Sequence, residues 1–454
     1  MGARDSSACW LNLGHACGQT PNSVPPLDAA LQHRYLIHMT ETVPGSIPTA
    51  AHTTDLVVVG AGPVGTSLAI LAAQAGFAVT LIDGRPPAGA NAADTRTFAI
   101  VRGSWRLLRA TGIGAELAAH ITPLNGLDAE DGGTHWFGAP HAAFSTEDLD
   151  ADPEDEPLGQ MVPAGLLQAA LDRRAAETPG LVWLRGARFS GMETGPRGAA
   201  VHLEDGTQVH GELIAACDGI HSAVRQSLGL KTEGRSYGKS VFAADVTLSR
   251  PHGGIARQLF TPEGPFATLP LPGNRANLAW YMKSGAAETL AKLPKDQIEA
   301  ELNARFANFA GEMRLDGPPL SYPLVMQISE KMTGPRTALL GDAARRINPL
   351  AGQGLNLGFK DVGALIDVMT EARETGLDPG SDTVLARYQE WRRFDSNLTA
   401  MTMDLIDRAF SNDNPVLKPL RGFALMAANR VAPLRRALAR QASADQDHLP
   451  SLMR

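Results

Sequence analysis

From Asp55 onward the alternation of apolar and polar positions resolves into elements. Leu56-Val57-Val58-Val59 is a short, unbroken β-branched run, the pattern of a strand buried on both faces of a parallel sheet. Gly60-Ala61-Gly62-Pro63-Val64-Gly65 follows, and then an Ala- and Leu-rich stretch over residues 66–76 that ends on Gly76, as a helix does. A second apolar run, Ala78-Val79-Thr80-Leu81-Ile82, closes on Asp83, and the whole reads as one βαβ unit of about 30 residues. Residues 56–77 carry no charge and are long enough for a bilayer span. Gly60, Gly62, Pro63, Gly65 and Thr66 break that run early, so strand, turn and helix account for it better.

Further along, residues 97–119 read as helix with a break at Gly112, and residues 166–177 as another helix. Residues 181–184, 199–203 and 213–216 read as strands, with Asp205-Gly206 turning between the last two. The acidic, proline-bearing stretch 147–157 reads as a surface crossing. Between 241 and 282, longer β runs separated by Pro and Gly predict a second, largely antiparallel sheet. Residues 297–309 read as helix, 337–340 as a buried strand and 355–370 as a helix after a second glycine turn. Beyond Asp382 the pattern is mostly helical, and the chain contains no internal repeat.

Residues 1–38 are rich in polar and small residues, without period and without the apolar core of a signal peptide. The expectation is that translation starts at Met39 and that residues 1–51 form no part of the fold. At 454 residues the chain suits two or three interlocked domains. Net charge is 41 − 48 = −7, so no overall basic field points to nucleic acid. Cys9, Cys17 and Cys217 are too few and too dispersed for a disulfide framework, and no Cys/His cluster has zinc spacing. The expected address is the cytoplasm, including the inner face of a membrane, and no metal site is expected.

The glycines of the first turn have distinct physical jobs. Gly60 permits the tight turn leaving the strand, Gly62 lets bare backbone approach a pyrophosphate, and Gly65 lets helix and strand pack closely. The helix N-terminus then offers N–H groups and a positive dipole end to phosphates. Asp83, 23 residues after Gly60, is placed to accept hydrogen bonds from ribose hydroxyls.

Two further segments separate NAD from FAD: Ala216-Cys217-Asp218-Gly219-Ile220-His221-Ser222-Ala223-Val224-Arg225, and the run from Gly341-Asp342 through Ala343-Ala344-Arg345-Arg346 to Gly352-Gln353-Gly354-Leu355-Asn356. With them the chain resembles the p-hydroxybenzoate-hydroxylase-like flavin monooxygenases, whose three fingerprints are a GxGxxG, a DG and a GD motif in this order. Within that group it most resembles the ubiquinone-biosynthesis hydroxylases. The similar pieces are Asp94-Thr95-Arg96-Thr97, Gly264-Pro265-Phe266-Ala267-Thr268-Leu269-Pro270-Leu271, the run from Gly341 to Asp361, and Tyr388 with Arg392 and Asp395.

The resemblance implies an α/β fold: an FAD-binding Rossmann-like βαβ domain over 52–128, 156–232 and 326–375, a mostly antiparallel substrate domain over 129–155 and 233–325, and a helical C-terminal region over 376–454. It implies FAD held by Gly60, Gly62, Gly65, Asp83, Arg96, Gln160, Asp218, Gly219, Asp342, Gly352, Gly354 and Asn356. Asp342 would bind a ribityl hydroxyl, and the helix after Gly354 would aim its N-terminus at the pyrimidine edge. It also implies insertion of one oxygen atom from O₂ into a polyprenylated phenol, with reduction by NAD(P)H or another donor. The cofactor carries that chemistry, so no catalytic side chain is assigned. The sheet over 241–282 would cover the flavin, with Leu269-Pro270-Leu271 among its lining residues.

The chain departs from the family pattern in three places. Arg345 and Asn348 stand where histidine is frequent, and Gly165 where the family tends to carry arginine. Cys217 reads as a small buried filler, Arg225 equally as a surface ion-pair residue or as part of the site, and His221 as an exposed loop residue. The tail over 416–440 mixes Leu and Phe with six cations, which suits an interfacial helix or an ordinary packed one, with Pro419 and Pro433 interrupting it. Other readings stay open at this point: a prenyl reductase on the same flavin site, and an FAD-holding scaffold in a quinone-biosynthesis complex. A flavin halogenase is disfavoured because none of the six tryptophans stand two apart.

Overall fold

The computed structural model describes residues 52–86, 94, 96–132, 140–149, 156–346, 353–393, 395, 429–444 and 448–454. The expectations for residues 1–51, for Asn348 and Gly352, for 150–155 and for 416–428 lie outside the described residues.

The first sheet is built around the β-branched run. Strand His52–Val59 lies between Gln208–Ala216 and Val79–Asp83, and Leu181–Arg185 and Thr337–Leu339 extend the sheet on either side. All four of these pairings are parallel. Leu56, Val57 and Val58 are completely buried, which is why their run shows no polar alternation. Helix Pro63–Gln74 is buried from Gly65 through Ala73 because helices Ala164–Glu177 and Gln353–Glu374 pack on it. The uncharged stretch is therefore a strand, a turn and a core helix.

Register decides where the motifs meet. Val59 stands opposite Ile82 on one side and Ala216 on the other, and Ala216 opposite Leu339. The strands thus end level with one another. The glycine turn, Asp83, the DG segment and the GD segment all leave the sheet at its carboxyl edge, where open α/β sheets place ligands. Strands Phe189–Gly195 and Gly198–Leu203 continue as an antiparallel hairpin beside Gln208–Ala216. The expected turn at Asp205-Gly206 is present, with Gly206 at φ +86° and the Thr207 N–H donating to Asp205 Oδ1 at 2.9 Å.

One element differs from the sequence expectation. Thr97–Val101 is a strand, and the helix begins only at Arg102 and runs to Ala110. The strand pairs with Gly159–Pro163, which pairs in turn with Thr122–Leu124 to make a three-stranded sheet. A five-residue apolar run has no period of its own to separate strand from helix, and here a partner some 60 residues away decided it. Gly112, at φ +95°, makes the expected break.

The second sheet has nine strands and is antiparallel except where Ile255–Phe260 runs parallel to Gly126–Asp131. It begins earlier than expected, with the 17-residue strand Thr232–Leu248. One face is packed by helix Lys295–Ala310, whose Ile298, Leu302, Phe306 and Ala310 are buried at a spacing of four. Phe306 stacks on Phe266 at 3.8 Å between centroids and meets Trp280 edge-on at 4.9 Å. The other face carries Val241, Ala243, Ala279, Tyr281 and Tyr322. Alternation along Phe266–Pro270 puts Leu269 on this second face with Ala267, and Pro270 on the helix side with Phe266. The two-residue strand Arg345–Arg346 pairs with Gln327 and Ile328, so the GD segment forms the last strand of this sheet.

The C-terminal part is helical where described, over 382–393 and Ala432–Ser443. Pro433 sits in the first turn of the latter helix and starts it rather than breaking it. Among the described residues no helix is long and apolar enough to cross a membrane.

Candidate cofactor site

The glycines divide into two kinds. Gly60 has φ +103°, and a Cβ there would stand 2.4 Å from the Cys217 carbonyl oxygen; one on Gly65 would stand 1.9 Å from that of Gly60. Both are required by the chain's own packing. A Cβ on Gly62 would meet no atom within 4 Å, so this glycine leaves backbone open to a ligand. Neither helix that starts at the site, Pro63–Gln74 or Gln353–Glu374, has an acidic residue in its first turn, so each dipole keeps its positive end.

Asp83 holds the turn from below. Its Oδ2 accepts from the Ala61 N–H at 2.7 Å, and its Oδ1 from the Arg85 N–H at 2.8 Å and Arg85 Nε at 2.7 Å. Arg85 also donates to the Ala61 carbonyl, as does Gln168 Nε2 at 3.0 Å, and the same Gln168 amide reaches Asp172 Oδ1 at 2.6 Å. Sequence reading missed Arg85, Gln168 and Asp172. The adjacency of Arg85 to Asp83 was a signal, and so was the i, i+4 spacing of Gln168 and Asp172 on one helix. Burial raises Asp172 above the usual carboxylate range.

In the DG segment the Cys217 N–H continues the sheet to the Val59 carbonyl at 2.7 Å, and Gly219 has φ +82° with no atom within 4 Å of a Cβ. Asp218 Oδ2 accepts from the Val224 N–H at 3.2 Å, while Oδ1 is buried without a hydrogen-bond partner in the chain. Burial raises the Asp218 carboxyl and pushes the Cys217 thiol well up, so Cys217 stays a protonated filler beside the glycine turn. His221 is exposed. Arg225 is not a surface ion-pair residue: it is 4% exposed and donates to the Ala343 and Ile220 carbonyls, both at 2.7 Å. It ties the DG segment to the GD segment.

The GD segment is held by a buried carboxylate. Asp361 is fully buried and accepts from the Gly341 N–H at 2.9 Å, from Arg345 at 2.8 and 3.0 Å and from Arg392 Nε at 2.7 Å. Arg392 also reaches Asp395 at 2.7 Å, and Tyr388 donates to the Leu339 carbonyl at 2.9 Å. Arg345, standing where histidine is frequent, is thus an internal strut, 5% exposed, and does not face a ligand. Asp342 opens on the cleft. The surrounding protein raises its pKa, and Arg346, Arg345 and Arg96 partly offset that. Tyr322, on the second sheet, is raised by burial and offset by Arg96 and Arg346. The Arg225 tie, the Gln327 Nε2 bond to the Ile220 carbonyl at 3.4 Å and the pairing of Arg345–Arg346 with Gln327 and Ile328 bring the DG segment, the GD segment and the second sheet together.

The remaining expected residues sit at its margin. Arg96 is ion-paired with Asp94 at 2.7 Å and has a side chain 61% exposed. Gln160, opposite Ile100 in the small sheet, is buried, and its Oε1 has no hydrogen-bond partner in the chain. Asn356 spends its amide on strand Thr97–Val101, accepting from the Val101 N–H at 3.0 Å and donating to the Ala99 carbonyl at 2.8 Å. It positions the helix start. A Cβ on Gly354, two residues earlier, would meet nothing within 4 Å. A cavity of about 510 Å³ lined by Arg106, Arg109, Glu156 and Arg454 shares no residue with this cleft. Among the described residues no cluster of His, Cys, Asp and Glu is placed to hold a metal.

These residues fit FAD on two independent observations. Buried polar atoms are normally satisfied, and Gln160 Oε1 and Asp218 Oδ1 have no hydrogen-bond partner in the chain. Gly62 and Gly354 leave open backbone at the starts of the two helices and Gly219 does so in the DG segment, as close approach of a dinucleotide requires.

Comparison with known proteins agrees. The sequence profile of the FAD-binding-domain family matches residues 53–396. The chain is 36% identical to a ubiquinone hydroxylase of Rhodospirillum rubrum, over 86% of this chain and 89% of that one. It is 34% identical to the 3-demethoxyubiquinol 3-hydroxylase of Escherichia coli, over 84% of this chain and 96% of that one. The crystal structure of a p-nitrophenol 4-monooxygenase from Pseudomonas putida shares the fold, with a TM-score of 0.68 at 18% identity, over 86% of this chain and 98% of that one. The chain belongs to the FAD-binding-domain family and, within it, to the FAD-dependent monooxygenases.

Proposed function

We propose that this enzyme hydroxylates a polyprenylated phenol in ubiquinone biosynthesis. The observation that carries the reading is that all three nucleotide-binding segments leave the first sheet at one carboxyl edge, in a chain more than a third identical to a ubiquinone hydroxylase along most of its length. FAD, once bound and reduced, would supply two electrons to O₂ and the ring the other two, one oxygen atom entering the ring and the other leaving as water.

The protein's own contribution is positional. Gly62 and the N-terminus of helix Pro63–Gln74 would hold the pyrophosphate, Asp83 the adenosine ribose, and Asp342 a ribityl hydroxyl. The positive end of helix Gln353–Glu374 would favour negative charge at the pyrimidine edge. The face bearing Leu269, Tyr281 and Tyr322 would exclude water from the reacting centre. A polyprenyl tail partitions into lipid, so the enzyme meets its substrate at a membrane surface or on a partner that presents it. Reduction of the cofactor falls to NAD(P)H or another donor.

The test is a substrate panel. FAD-loaded enzyme with a reductant should hydroxylate short-chain prenylphenols and leave unprenylated p-hydroxybenzoate largely untouched. Equal turnover of both would remove the prenyl assignment. Saturation of a prenyl double bond without O₂ uptake would replace the hydroxylase with a reductase.

A further inference from the structure

Residues 448–454 are seated between two helices that lead to the cofactor site. Leu449 and Met453 are 3% and 0% exposed, Pro450 is buried, and the short helical turn Ser451–Met453 packs on both Arg102–Ala110 and Gln353–Glu374. Each helix makes room by lacking a side chain at the contact. A Cβ on Gly103 would stand 2.5 Å from the Ala444 carbonyl oxygen and 3.3 Å from that of Met453, and one on Gly363 would stand 2.6 Å from Pro450 Cβ. Polar contacts fix the seat. Asp367 accepts from the Ser451 N–H at 2.8 Å and from the Ser451 hydroxyl, and Trp391 Nε1 donates to the His448 carbonyl at 3.3 Å. Arg454 Nε closes the segment on itself by donating to the Leu449 carbonyl at 2.8 Å. Two buried anchors and a glycine in each wall make this a close, specific fit.

The seat adjoins the fastening of the cofactor site. Gly103 lies in the first turn of the helix that follows strand Thr97–Val101, and the Asn356 amide holds that strand at the Ala99 carbonyl and the Val101 N–H. Ile100, between them, is the register partner of Gln160, whose Oε1 has no hydrogen-bond partner in the chain. Asn356 itself belongs to the first turn of Gln353–Glu374, the helix that carries Gly363 and Asp367 farther along. Residues 448–454 therefore grip the same two bodies that Asn356 ties together. Packing and hydrogen bonds run without a gap from Met453 through Gly103 and Val101 to Asn356, the kind of contiguous path that carries coupling.

We propose that residues 448–454 are a clamp that positions the FAD site. Seated against Gly103 and Gly363, they hold strand Thr97–Val101 to the start of helix Gln353–Glu374 and so keep Gln160 and Asn356 in place for the cofactor. The proposal rests on FAD binding at this site. Unseating the segment leaves the rest of the fold standing and populates arrangements that do not bind FAD. Apparent affinity falls with the fraction still seated, so a segment seated about a tenth of the time lowers it about tenfold.

The experiment is titration of the full-chain apoprotein with FAD, read by flavin fluorescence at a temperature where circular dichroism shows each variant folded. Leu449→Ser with Met453→Ser should weaken FAD about tenfold or more. Asp367→Ala removes only the Ser451 contacts, so it serves if the double variant does not fold; it should weaken FAD about threefold or more. Leu302→Ala opens a cavity behind the second sheet and controls for lost stability alone. It should keep the parent affinity within about twofold. Hydrogen exchange on the apoproteins supplies the second readout. Amides of Thr97–Val101 and Gly159–Pro163 should exchange faster in the clamp variants, and those of Thr232–Leu248 at the parent rate. Parent-like FAD affinity in the clamp variants, or an equal loss in Leu302→Ala, would overturn the proposal. So would faster exchange confined to residues 448–454. Because exchange is measured without FAD, it decides the clamp even if the parent takes up no cofactor, and the two failures are told apart.

Discussion

Asp361→Asn is the perturbation that most sharply tests how the site is held. The carboxylate is fully buried and takes four hydrogen bonds: one from the backbone of Gly341, two from Arg345 and one from Arg392. Asparagine keeps the shape but turns an NH₂ toward a donor and removes the charge that offsets two buried guanidinium groups. Arg392 retains Asp395 at 2.7 Å, whereas Arg345 loses its salt-bridge partner. Removing one partner of a buried pair costs about 3–5 kcal/mol. That is a large share of a total stability of about 5–15 kcal/mol. At roughly 2 °C per kcal/mol for a unit of this size, the midpoint of thermal unfolding falls by roughly 6–10 °C. Because Gly341 opens the GD turn, FAD retention should fall with it. The assay is thermal unfolding by circular dichroism, with and without FAD, in a double-mutant cycle with Arg345→Gln. Coupling of about 1–3 kcal/mol is expected, since the second substitution removes the stranded cation. A midpoint within about 1 °C of the parent, or strictly additive effects, would refute the network as the element that fixes the turn.

Gly60→Ala and Gly62→Ala should separate packing from binding. The first should destabilise the apoprotein by several kcal/mol, because its Cβ meets the Cys217 carbonyl at 2.4 Å; the second should leave apo stability within about 0.5 kcal/mol and weaken FAD in a titration. Asp342→Asn should weaken FAD in a titration while leaving apo stability within about 0.5 kcal/mol of the parent in urea unfolding, because the residue is exposed on the cleft. Arg225→Ala should cost roughly 1–3 kcal/mol in denaturant unfolding, because it strands the Ala343 carbonyl, whereas that of Ile220 keeps Gln327 Nε2 at 3.4 Å.

Much of the site was legible because its signals are local. Gly60, Gly62 and Gly65 follow a strand and open a helix, and the DG and GD pairs each follow an apolar run, so register alone brings them to one edge. What was not legible depended on partners far along the chain. Thr97–Val101 reads as helix until Gly159–Pro163 is laid beside it, and with that strand misassigned the task of the Asn356 amide had no visible target. Arg225 and Arg345 share one lesson. An isolated arginine looks like a surface residue or an aberration, and only Ala343 in one case and Asp361 in the other reveal an internal tie.

Binding of FAD in this cleft and insertion of oxygen into a prenylated ring are tested together at the product. The direct measurement is turnover of a short-chain prenylphenol by the FAD-loaded enzyme under ¹⁸O₂, with the product read by mass spectrometry. The expected result is a flavin spectrum and one ¹⁸O atom in the ring of the product, with no new oxygen coming from water. A protein that takes up no FAD, or a product formed without ¹⁸O, would contradict it.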